Sequence, residues 1–199
     1  MIYFATPSTE QIRAAITAGV LACMAGPRQG NTIQPGWTWA ADNDRYNTGD
    51  NWRPSTWLAA LERNRPVADD CLFAAVPDQV GDHHETDRLW RIWAPVVVDL
   101  GYPPAYVAQD GCTDPPWDDL AVLFVGGTTA WKVGPDAWQL TIAARQRGVP
   151  VHWGRVNSRR RFAMAALTGD TCDGTYLAYA PDRNLLRLTG WLNTLDLAT

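Results

Sequence analysis

The chain of 199 residues lacks most of the motifs that assign a function directly. It contains no Walker loop, no dinucleotide-binding fingerprint and no nucleophile elbow of a Ser-His-Asp hydrolase, so we expect no cofactor. It has no apolar run approaching the roughly 18 residues that a membrane span needs. Residues 1–6 lack the basic region and long apolar stretch of a signal peptide, and we predict that they form a first strand.

Cysteine and histidine are too few and too scattered to form a metal site. His83 and His84 are adjacent, so we expect their side chains to point apart, and His152 lies inside a predicted strand, where a hydrogen-bonded core histidine is expected. No two cysteines have the C-x2-C spacing of a zinc site. Without an export signal, we expect reduced core thiols rather than disulfides. The four cysteines are Cys23, Cys71, Cys112 and Cys172.

The composition is typical of a globular soluble protein. Hydrophobic residues make up 46% of the chain and charged residues 19%. No internal repeat, linker or low-complexity tract divides the sequence, so we predict a single domain over residues 1–199. The net charge of −4 argues against a general nucleic-acid coat but is compatible with a local basic groove.

Short segments rich in apolar, β-branched or aromatic residues recur along the chain with turn signals between them. Most are too apolar to be strands with one solvated face, which favours a parallel sheet covered on its outer face. The eight predicted strands are 2–6, 21–25, 38–42, 72–76, 105–109, 122–126, 150–154 and 171–174.

Helical patterns connect several of these strands. A capping-box pattern opens the first helix, and the helix at 84–100 contains Pro95, which we expect to kink it. The helix at 135–148 is expected to turn Trp138 and Ile142 toward the core. The predicted helices are 8–19, 54–64, 84–100, 135–148, 157–167 and 185–195.

Eight strands that alternate with helices predict an α/β fold, namely a compact TIM-like (β/α)8 barrel. Plain loops at 26–37 and 112–119 are expected to replace two of its helices. An open doubly wound sheet is the alternative architecture.

Polar residues follow the predicted strands at the ends where a β/α barrel carries its active site. Two carboxylates that face each other across a cleft can act as nucleophile and as acid/base. The alternative is that aspartates simply end strands and cap helices. The strand-end residues are Asp42, Asn43, Asp78, Gln109, Asp110, Gly126, Gly127, Arg155, Asn157 and Asp173.

The glycine pair and its neighbours suggest a binding surface for a flat polar molecule. Gly126 and Gly127 would let the backbone approach a ligand and offer N–H groups to it, although glycine pairs also simply turn chains. Lys132 adds a cation nearby. Of the eleven tryptophans, four are candidates for stacking on bases, with core filling as the alternative for each. These are Trp37, Trp117, Trp131 and Trp153.

A basic segment follows the seventh predicted strand. Its arginines surround the predicted start of the next helix, where free N–H groups and the helix dipole favour anions. The planar guanidinium group suits phosphate, and the alternative is a solvated helix start. The arginines are Arg155, Arg159, Arg160 and Arg161.

On these residues the chain resembles the tRNA-guanine transglycosylase superfamily. It is most similar to the small phage and bacterial members that insert 7-deazaguanines into DNA, the DpdA-type DNA-guanine transglycosylases. The similarity runs from the segment around Asp42 to 173–175. Its most specific parts are Val107-Ala108-Gln109-Asp110-Gly111, Phe124-Val125-Gly126-Gly127-Thr128-Thr129-Ala130-Trp131-Lys132 and His152-Trp153-Gly154-Arg155-Val156-Asn157-Ser158.

The resemblance implies a barrel in which an aspartate attacks C1′ of a guanosine, guanine leaves, and a 7-deazaguanine takes its place with retained configuration. By position, Asp173 resembles the nucleophile and Asp42 the acid/base carboxylate. The groups that would hold the base are Asp78, Gln109, Gly126, Gly127 and Trp131. The phosphates of DNA would lie on Arg155, Asn157, Ser158, Arg159, Arg160 and Arg161.

Three departures from the family bear on the substrate. The cysteine-rich zinc subdomain of the tRNA enzymes is missing, and the chain is far shorter than they are, which favours DNA over tRNA. Trp131-Lys132 replaces an acidic residue of the family near the glycine pair, which leaves the identity of the incoming base open.

We therefore expect a cytoplasmic pentosyltransferase (in the host cytoplasm if phage-encoded) that replaces guanine in DNA with a 7-deazaguanine such as 7-cyano-7-deazaguanine (preQ0). Its expected partners are DNA and the free 7-deazaguanine base, with no membrane; a partner protein or a homodimer is a further candidate. Two alternatives stay open. One is an N-glycoside hydrolase or deoxyribosyltransferase that acts on free nucleosides, and the other is an inactive DNA-binding subunit of a modification complex.

Overall fold

The computed structural model describes residues 1–196, with side chains as far as Thr194, and it contains a closed barrel of eight parallel strands. The strands are β1 (Ile2–Ala5), β2 (Ala22–Ala25), β3 (Trp39–Ala41), β4 (Cys71–Ala75), β5 (Pro104–Ala108), β6 (Val122–Val125), β7 (Val151–Trp153) and β8 (Thr171–Asp173). They follow one another in chain order, and β8 pairs with β1 to close the ring. The predicted barrel is confirmed, and the open doubly wound sheet is excluded.

Helices cover the outside of the barrel between most strands. They are α1 (Glu10–Thr17), α2 (Arg45–Thr48), α3 (Pro54–Asn64), α4 (His83–Asp99), α5 (Thr129–Lys132), α6 (Pro135–Gln146), α7 (Arg159–Thr168) and α8 (Pro181–Asp196). Short 3₁₀ turns lie at Gly49–Asn51, Arg65–Asp70 and Tyr176–Ala178. As predicted, no helix follows β2 or β5, since 26–38 and 109–121 are loops.

The predicted and observed elements agree closely, apart from the short helices α2 and α5, which were not predicted, and three differences of detail. Every predicted strand lies within one residue of the observed strand at either end. The cap of α1 is Thr9 rather than Ser8, because the Thr9 hydroxyl accepts a hydrogen bond from the Ile12 amide at 3.3 Å. Helix α8 begins at Pro181, four residues before its predicted start. Helix α4 continues through Pro95 without a break.

The predicted inner face of α6 is wrong. The helix buries Ala137, Leu140 and Ala144, whereas Ile142 is 39% exposed and Trp138 is only partly buried. The small side chains let α6 pack closely on the barrel. Apolar residues lie on both sides of this helix, so the helical period alone does not select the buried face.

The barrel has two layers of core. Alternate residues of each strand face inward, and the interior layer combines small side chains with aromatic rings. The His152 ring lies inside this layer, with its centroid 4.8 Å from that of Phe73 and 4.4 Å from that of Phe124. These rings fill the barrel interior beneath the C-terminal ends of the strands. The interior cluster is Phe4, Ala22, Met24, Ala40, Phe73, Ala105, Val122 and Phe124.

The outer layer lies between the strands and the helices and contains larger side chains, including Trp39, Tyr106 and Leu123. All four cysteines are buried as free thiols. No helix within residues 1–196 combines the length and the apolar character needed to cross a membrane.

The interior layer can be tested by removing one ring. Phe73→Ala is expected to lower the free energy of unfolding by about 3–5 kcal/mol, because it leaves a cavity in the barrel. Chemical denaturation measures the difference. Leu72→Ala, the next residue on β4 and 40% exposed, should cost about 1 kcal/mol or less. Equal losses in both variants would contradict this assignment of the two faces of β4.

Candidate active site

A cavity of about 270 Å³ opens at the C-terminal ends of the strands. Its floor is apolar and is formed by Ala75, Val107 and Phe124. The barrel brings most of the predicted strand-end residues together around it. They are Asp42, Asn43, Asp78, Gln109, Gly126, Gly127, Arg155, Asn157 and Asp173.

A larger groove, of about 680 Å³, lies on the outer surface between α4 and the loop that contains Asp114 and Asp119. None of the strand-end residues that line the first cavity lies in this groove. We take the smaller cavity as the candidate active site, because it is where the polar groups of six strand ends converge.

The carboxylate of Asp173 is held by two neighbours. Its Oδ1 accepts a hydrogen bond from the Arg155 amide at 3.1 Å and lies 3.1 Å from His152 Nε2. The other ring nitrogen, His152 Nδ1, lies 2.8 Å from the Thr171 hydroxyl. Because an ionised carboxylate can only accept, this pattern fits a neutral imidazole that donates from Nε2 to Asp173 and accepts from Thr171.

Burial supports this neutral state of His152. The desolvated ring has a lowered pKa, and the hydrogen bond to Asp173 only partly opposes that effect. The sequence predicted a hydrogen-bonded core histidine, which is confirmed. Its contact with the candidate nucleophile was missed, since β7 and β8 become neighbours only when the barrel forms.

Asp42 differs from Asp173 in its electrostatic environment. Burial, followed by the negative charge of Asp173, raises the pKa of Asp42 to about 7. A group with that pKa is partly protonated at neutral pH and can both donate and accept a proton. Asp42 and Asp173 line the same cavity, so the site combines a carboxylate held by two hydrogen-bond donors with a second carboxyl group whose pKa is about 7.

Asp78 is a third carboxylate, buried at the side of the cavity. Its Oδ1 accepts from the Asn43 amide at 2.8 Å, and its Oδ2 accepts from Gln109 Nε2 at 2.6 Å. Burial raises the pKa of Asp78 to about 6, against the lowering effects of the Asn43 hydrogen bond and the charge of Arg45. The side-chain amides of Asn43 and Gln109 fix the plane of this carboxylate. The remaining lone pairs of Asp78 are available to a ligand.

The Gln109 side chain and the backbone N–H groups of Gly126 and Gly127 were expected to bind a base, but they form hydrogen bonds within the protein. Gln109 Oε1 accepts from the amides of Gly81 at 2.9 Å and Gly127 at 3.0 Å. The amide of Gly126 donates to the carbonyl of Ala108 at 3.0 Å. The predicted donors of Gly126 and Gly127 are therefore used within the protein, and Gln109 orients Asp78 and the loop after β6.

The glycine pair is needed for close packing instead. A Cβ atom at Gly126 would lie 2.7 Å from both Gln109 Nε2 and Val107 Cγ1. Gly127 has a φ angle of +64°, in the left-handed region that favours glycine. A side chain at either position would displace the network around Asp78.

Arg155 is the basic residue that the structure places at the cavity. Its guanidinium group donates to the carbonyl of Gly127 and lies over the ring of Tyr46, 4.3 Å from the centroid. Its backbone has a φ angle of +59°, which is uncommon for a residue with a side chain. Asn157 also lines the cavity, and its Oδ1 accepts from the Thr175 amide at 2.6 Å.

The other predicted phosphate ligands lie outside the cavity. Ser158 caps α7, with its hydroxyl accepting from the Arg161 amide at 3.3 Å. Arg161 is partly buried and lies near the carbonyl of Arg155, at 3.4 Å. Arg159 and Arg160 are exposed in the first turn of α7. The basic segment thus surrounds a helix start as predicted, at the rim rather than in the cavity.

None of the four candidate stacking tryptophans lines the cavity. Trp37 and Trp117 precede β3 and β6 and so lie at the opposite end of the barrel, and Trp153 is buried in the outer core layer. Trp131 packs behind the backbone of Gly127, where its ring occupies the space that a side chain would need. The expectation that these rings would stack on a base is not met.

One further residue at the site, Tyr46, was missed, and Lys132, which was expected only as a nearby cation, is buried. Tyr46 lies on α2 after β3, is 59% exposed and lines the cavity. Lys132 is buried, and its ammonium group donates to the Gly154 carbonyl at 2.5 Å. Burial, then the charge of Arg155, lowers the pKa of Lys132 to about 7. Tyr46 belongs to no recognisable local motif, and nothing in the sequence around Lys132 indicates that its ammonium group will be buried.

The described residues contain no cluster of three or more His, Cys, Asp or Glu side chains suited to a metal ion. No protein-family model matches the chain, and no curated protein matches it. One similar solved structure is that of L-talarate dehydratase from Polaromonas sp. JS666, complexed with Mg and L-glucarate. The chains are 12% identical with a TM-score of 0.42, over 89% of this chain and 53% of the dehydratase, so this chain spans about half of that protein's length. A likeness this distant carries no argument about activity.

The coupling between the two carboxylates can be measured directly. Asp173→Asn is expected to lower the pKa of Asp42 from about 7, because it removes a negative charge that disfavours ionisation of Asp42. Carbon-13 NMR titration of the aspartate side chains reports the value. Asp182→Asn, at an exposed position on α8, is the control and should leave the pKa of Asp42 unchanged. An identical titration of Asp42 in wild type and Asp173→Asn would contradict the coupling.

Proposed function

We propose that the chain is a DNA base-exchange enzyme that removes guanine and inserts a 7-deazaguanine. The observation that carries the proposal is the arrangement of three carboxylates around one cavity. Asp173 is held by two hydrogen-bond donors, Asp42 has a pKa of about 7, and Asp78 is buried with its plane fixed by two amides. Together with the resemblance described above, these environments support one role for each carboxylate.

In the first half of the proposed reaction, Asp173 attacks C1′ of the target nucleotide. The bond between C1′ and N9 of guanine breaks as the bond between C1′ and the Asp173 oxygen forms. Asp42 gives a proton to the departing base, either directly or through water. The product is a covalent ester between Asp173 and the deoxyribose.

In the second half, N9 of the incoming 7-deazaguanine attacks C1′ and displaces Asp173. Asp42, now ionised, takes the proton that N9 loses. Two displacements at C1′ retain the configuration of the glycosidic bond. A pKa near the working pH suits a group that must act first as an acid and then as a base.

Asp78 would recognise the base. A guanine or 7-deazaguanine ring presents N1–H and an exocyclic amine side by side, and an ionised carboxylate accepts from both. The apolar floor formed by Val107 and Phe124 would lie against the flat ring. A base in duplex DNA must leave the stack to reach this position.

One observation favours a second candidate, an N-glycoside hydrolase or deoxyribosyltransferase for free nucleosides. Of the predicted phosphate-binding arginines, Arg155 alone lines the cavity, and its guanidinium group already bonds Gly127. The cavity volume of about 270 Å³ is close to the lower end of the roughly 300–1,000 Å³ of small-molecule sites. The third candidate, an inactive DNA-binding subunit, gives no reason for the paired environments of Asp42 and Asp173.

Asp173→Asn is expected to reduce base exchange by about 10⁴-fold or more, because it removes the nucleophile. The measurement is release of radiolabelled guanine from duplex DNA, with and without 7-cyano-7-deazaguanine. Asp182→Asn serves as a matched surface control. Undiminished exchange in a folded Asp173→Asn protein would remove Asp173 from the mechanism.

The same assay separates the candidate activities. Release that depends on the deazapurine indicates transglycosylation, and release without it indicates a glycosylase. Exchange on free deoxyguanosine but not on DNA would favour the nucleoside enzyme. No release from either substrate by the wild-type protein would favour the inactive subunit.

Asp78→Asn is expected to weaken binding of the free base by about tenfold or more, because the amide offers one acceptor where the carboxylate offers two. Calorimetry with 7-cyano-7-deazaguanine measures the affinity without requiring turnover. Asp110→Asn is the comparison, since Asp110 bonds Thr128 in the loop after β6 and does not line the cavity. Wild-type affinity in Asp78→Asn would exclude Asp78 as the base-binding group.

A further inference from the structure

Lys132 is the single lysine of the sequence, and it is buried beside the candidate active site. Only 5% of the residue is exposed, and its Nζ donates to the carbonyl oxygen of Gly154 at 2.5 Å. Within the described part of the chain, Lys132 forms no salt bridge. An ammonium group that is buried without a bound carboxylate is costly, so its position calls for an explanation.

The acceptor of this hydrogen bond belongs to the peptide group that also contacts Asp173. The carbonyl of Gly154 and the amide of Arg155 are the two ends of one peptide unit. The carbonyl end accepts from Lys132, and the N–H end donates to Asp173 Oδ1 at 3.1 Å. Lys132 and Asp173 are therefore connected through a single planar amide.

The surrounding residues hold this peptide in one orientation. The Arg155 backbone is left-handed, with a φ angle of +59°, and the Arg155 guanidinium group donates to the carbonyl of Gly127. Gly154 has no room for a side chain, since a Cβ atom would lie 2.6 Å from Phe124 Cε1. The peptide cannot rotate freely without losing these contacts.

The charged groups around Lys132 indicate which of them interacts favourably with its ammonium group. Burial and the charges of Arg155 and Arg161 disfavour the ammonium form, and Asp173 is the group that favours it. A cation at the carbonyl end of an amide polarises that amide and strengthens donation from its N–H end. The charge of Lys132 therefore strengthens the hydrogen bond that the Arg155 amide donates to Asp173.

We propose that Lys132 is a positioning residue for Asp173, which it orients through the Gly154–Arg155 peptide. It touches neither the base nor the sugar in this role, since it lies outside the cavity lining. The consequence for catalysis rests on the proposed function, because only an ionised, oriented carboxylate attacks C1′. The electrostatic link itself is independent of that function.

The link is tested in the free protein by proton–nitrogen NMR at pH 6. Lys132→Met removes the charge and the donor at similar length, and Lys132→Gln keeps a donor without the charge. The Arg155 amide proton is expected to move upfield in Lys132→Met, in the same direction as in Asp173→Asn, because its hydrogen bond weakens. A smaller upfield shift is expected in Lys132→Gln. An unchanged Arg155 amide resonance in folded Lys132→Met or Lys132→Gln protein would overturn the proposal.

Kinetics provide the second readout. If the wild-type protein exchanges guanine, Lys132→Met should lower kcat by about tenfold or more while KM for DNA changes by less than about twofold, because the oriented carboxylate acts in the chemical step. Lys132→Arg, which keeps the charge, should recover part of kcat. A wild-type kcat in Lys132→Met, or a loss that appears only in KM, would overturn the catalytic role.

The two proposals fail in distinguishable ways. Absence of exchange by the wild-type protein refutes the proposed function, and the NMR shift still decides whether Lys132 acts on Asp173. Exchange by the wild type with no shift in Lys132→Met refutes the role of Lys132 alone.

Discussion

The pairing of β8 with β1 is the constraint on which the rest of the site depends. It closes the ring with Phe4 opposite Asp173. The last strand therefore contributes Asp173 to the same cavity to which the third strand contributes Asp42. These strands have only three or four residues, and a register slip of one residue would turn each inward side chain to the outer face. The tightly filled interior prevents such a slip. Alanines on β2, β3 and β5 leave the space that the phenylalanine and histidine rings occupy.

Closure of the barrel also places three carboxylates around one small cavity, and each of them lies in a different environment. Asp173 has a histidine and a backbone amide as donors, and Asp78 has two side-chain amides. Asp42 has neither arrangement, and burial, followed by the negative charge of Asp173, raises its pKa to about 7. The positive charges are divided between two sides, since Arg45 after β3 acts on Asp78, whereas Lys132 and Arg155, after β6 and β7, lie near Asp173. The three carboxylates therefore differ in their hydrogen-bond partners and in their electrostatic surroundings, which is what the roles proposed for Asp173 as nucleophile and Asp42 as acid require.

Much of this could be predicted from the sequence, because each strand is a short apolar segment between turn residues. The strand ends and the residues that follow them were located to within one residue. The direction of each hydrogen bond could not be predicted, since it depends on partners distant in sequence. Gln109 illustrates this: its position was correct, but its carbonyl is satisfied by Gly81 and Gly127 rather than left for a base. Lys132 illustrates it again, because a lysine in a short helix after a glycine pair gives no sign that it will be buried.

The position of the basic segment bears on the size of the substrate. The cavity has room for a base, and its carboxylates would meet the sugar at C1′, so the phosphates on either side of a flipped nucleotide must lie outside it. Arginines that bind those phosphates should therefore be found at the rim, not in the lining. Arg159 and Arg160 are exposed in the first turn of α7, at the same end of the barrel as the mouth. A free nucleoside would leave both arginines without a ligand, whereas a polynucleotide would extend past Arg155 toward them. In the proposed reaction on DNA, these two exposed arginines therefore lie where the phosphates beside the flipped nucleotide would pass.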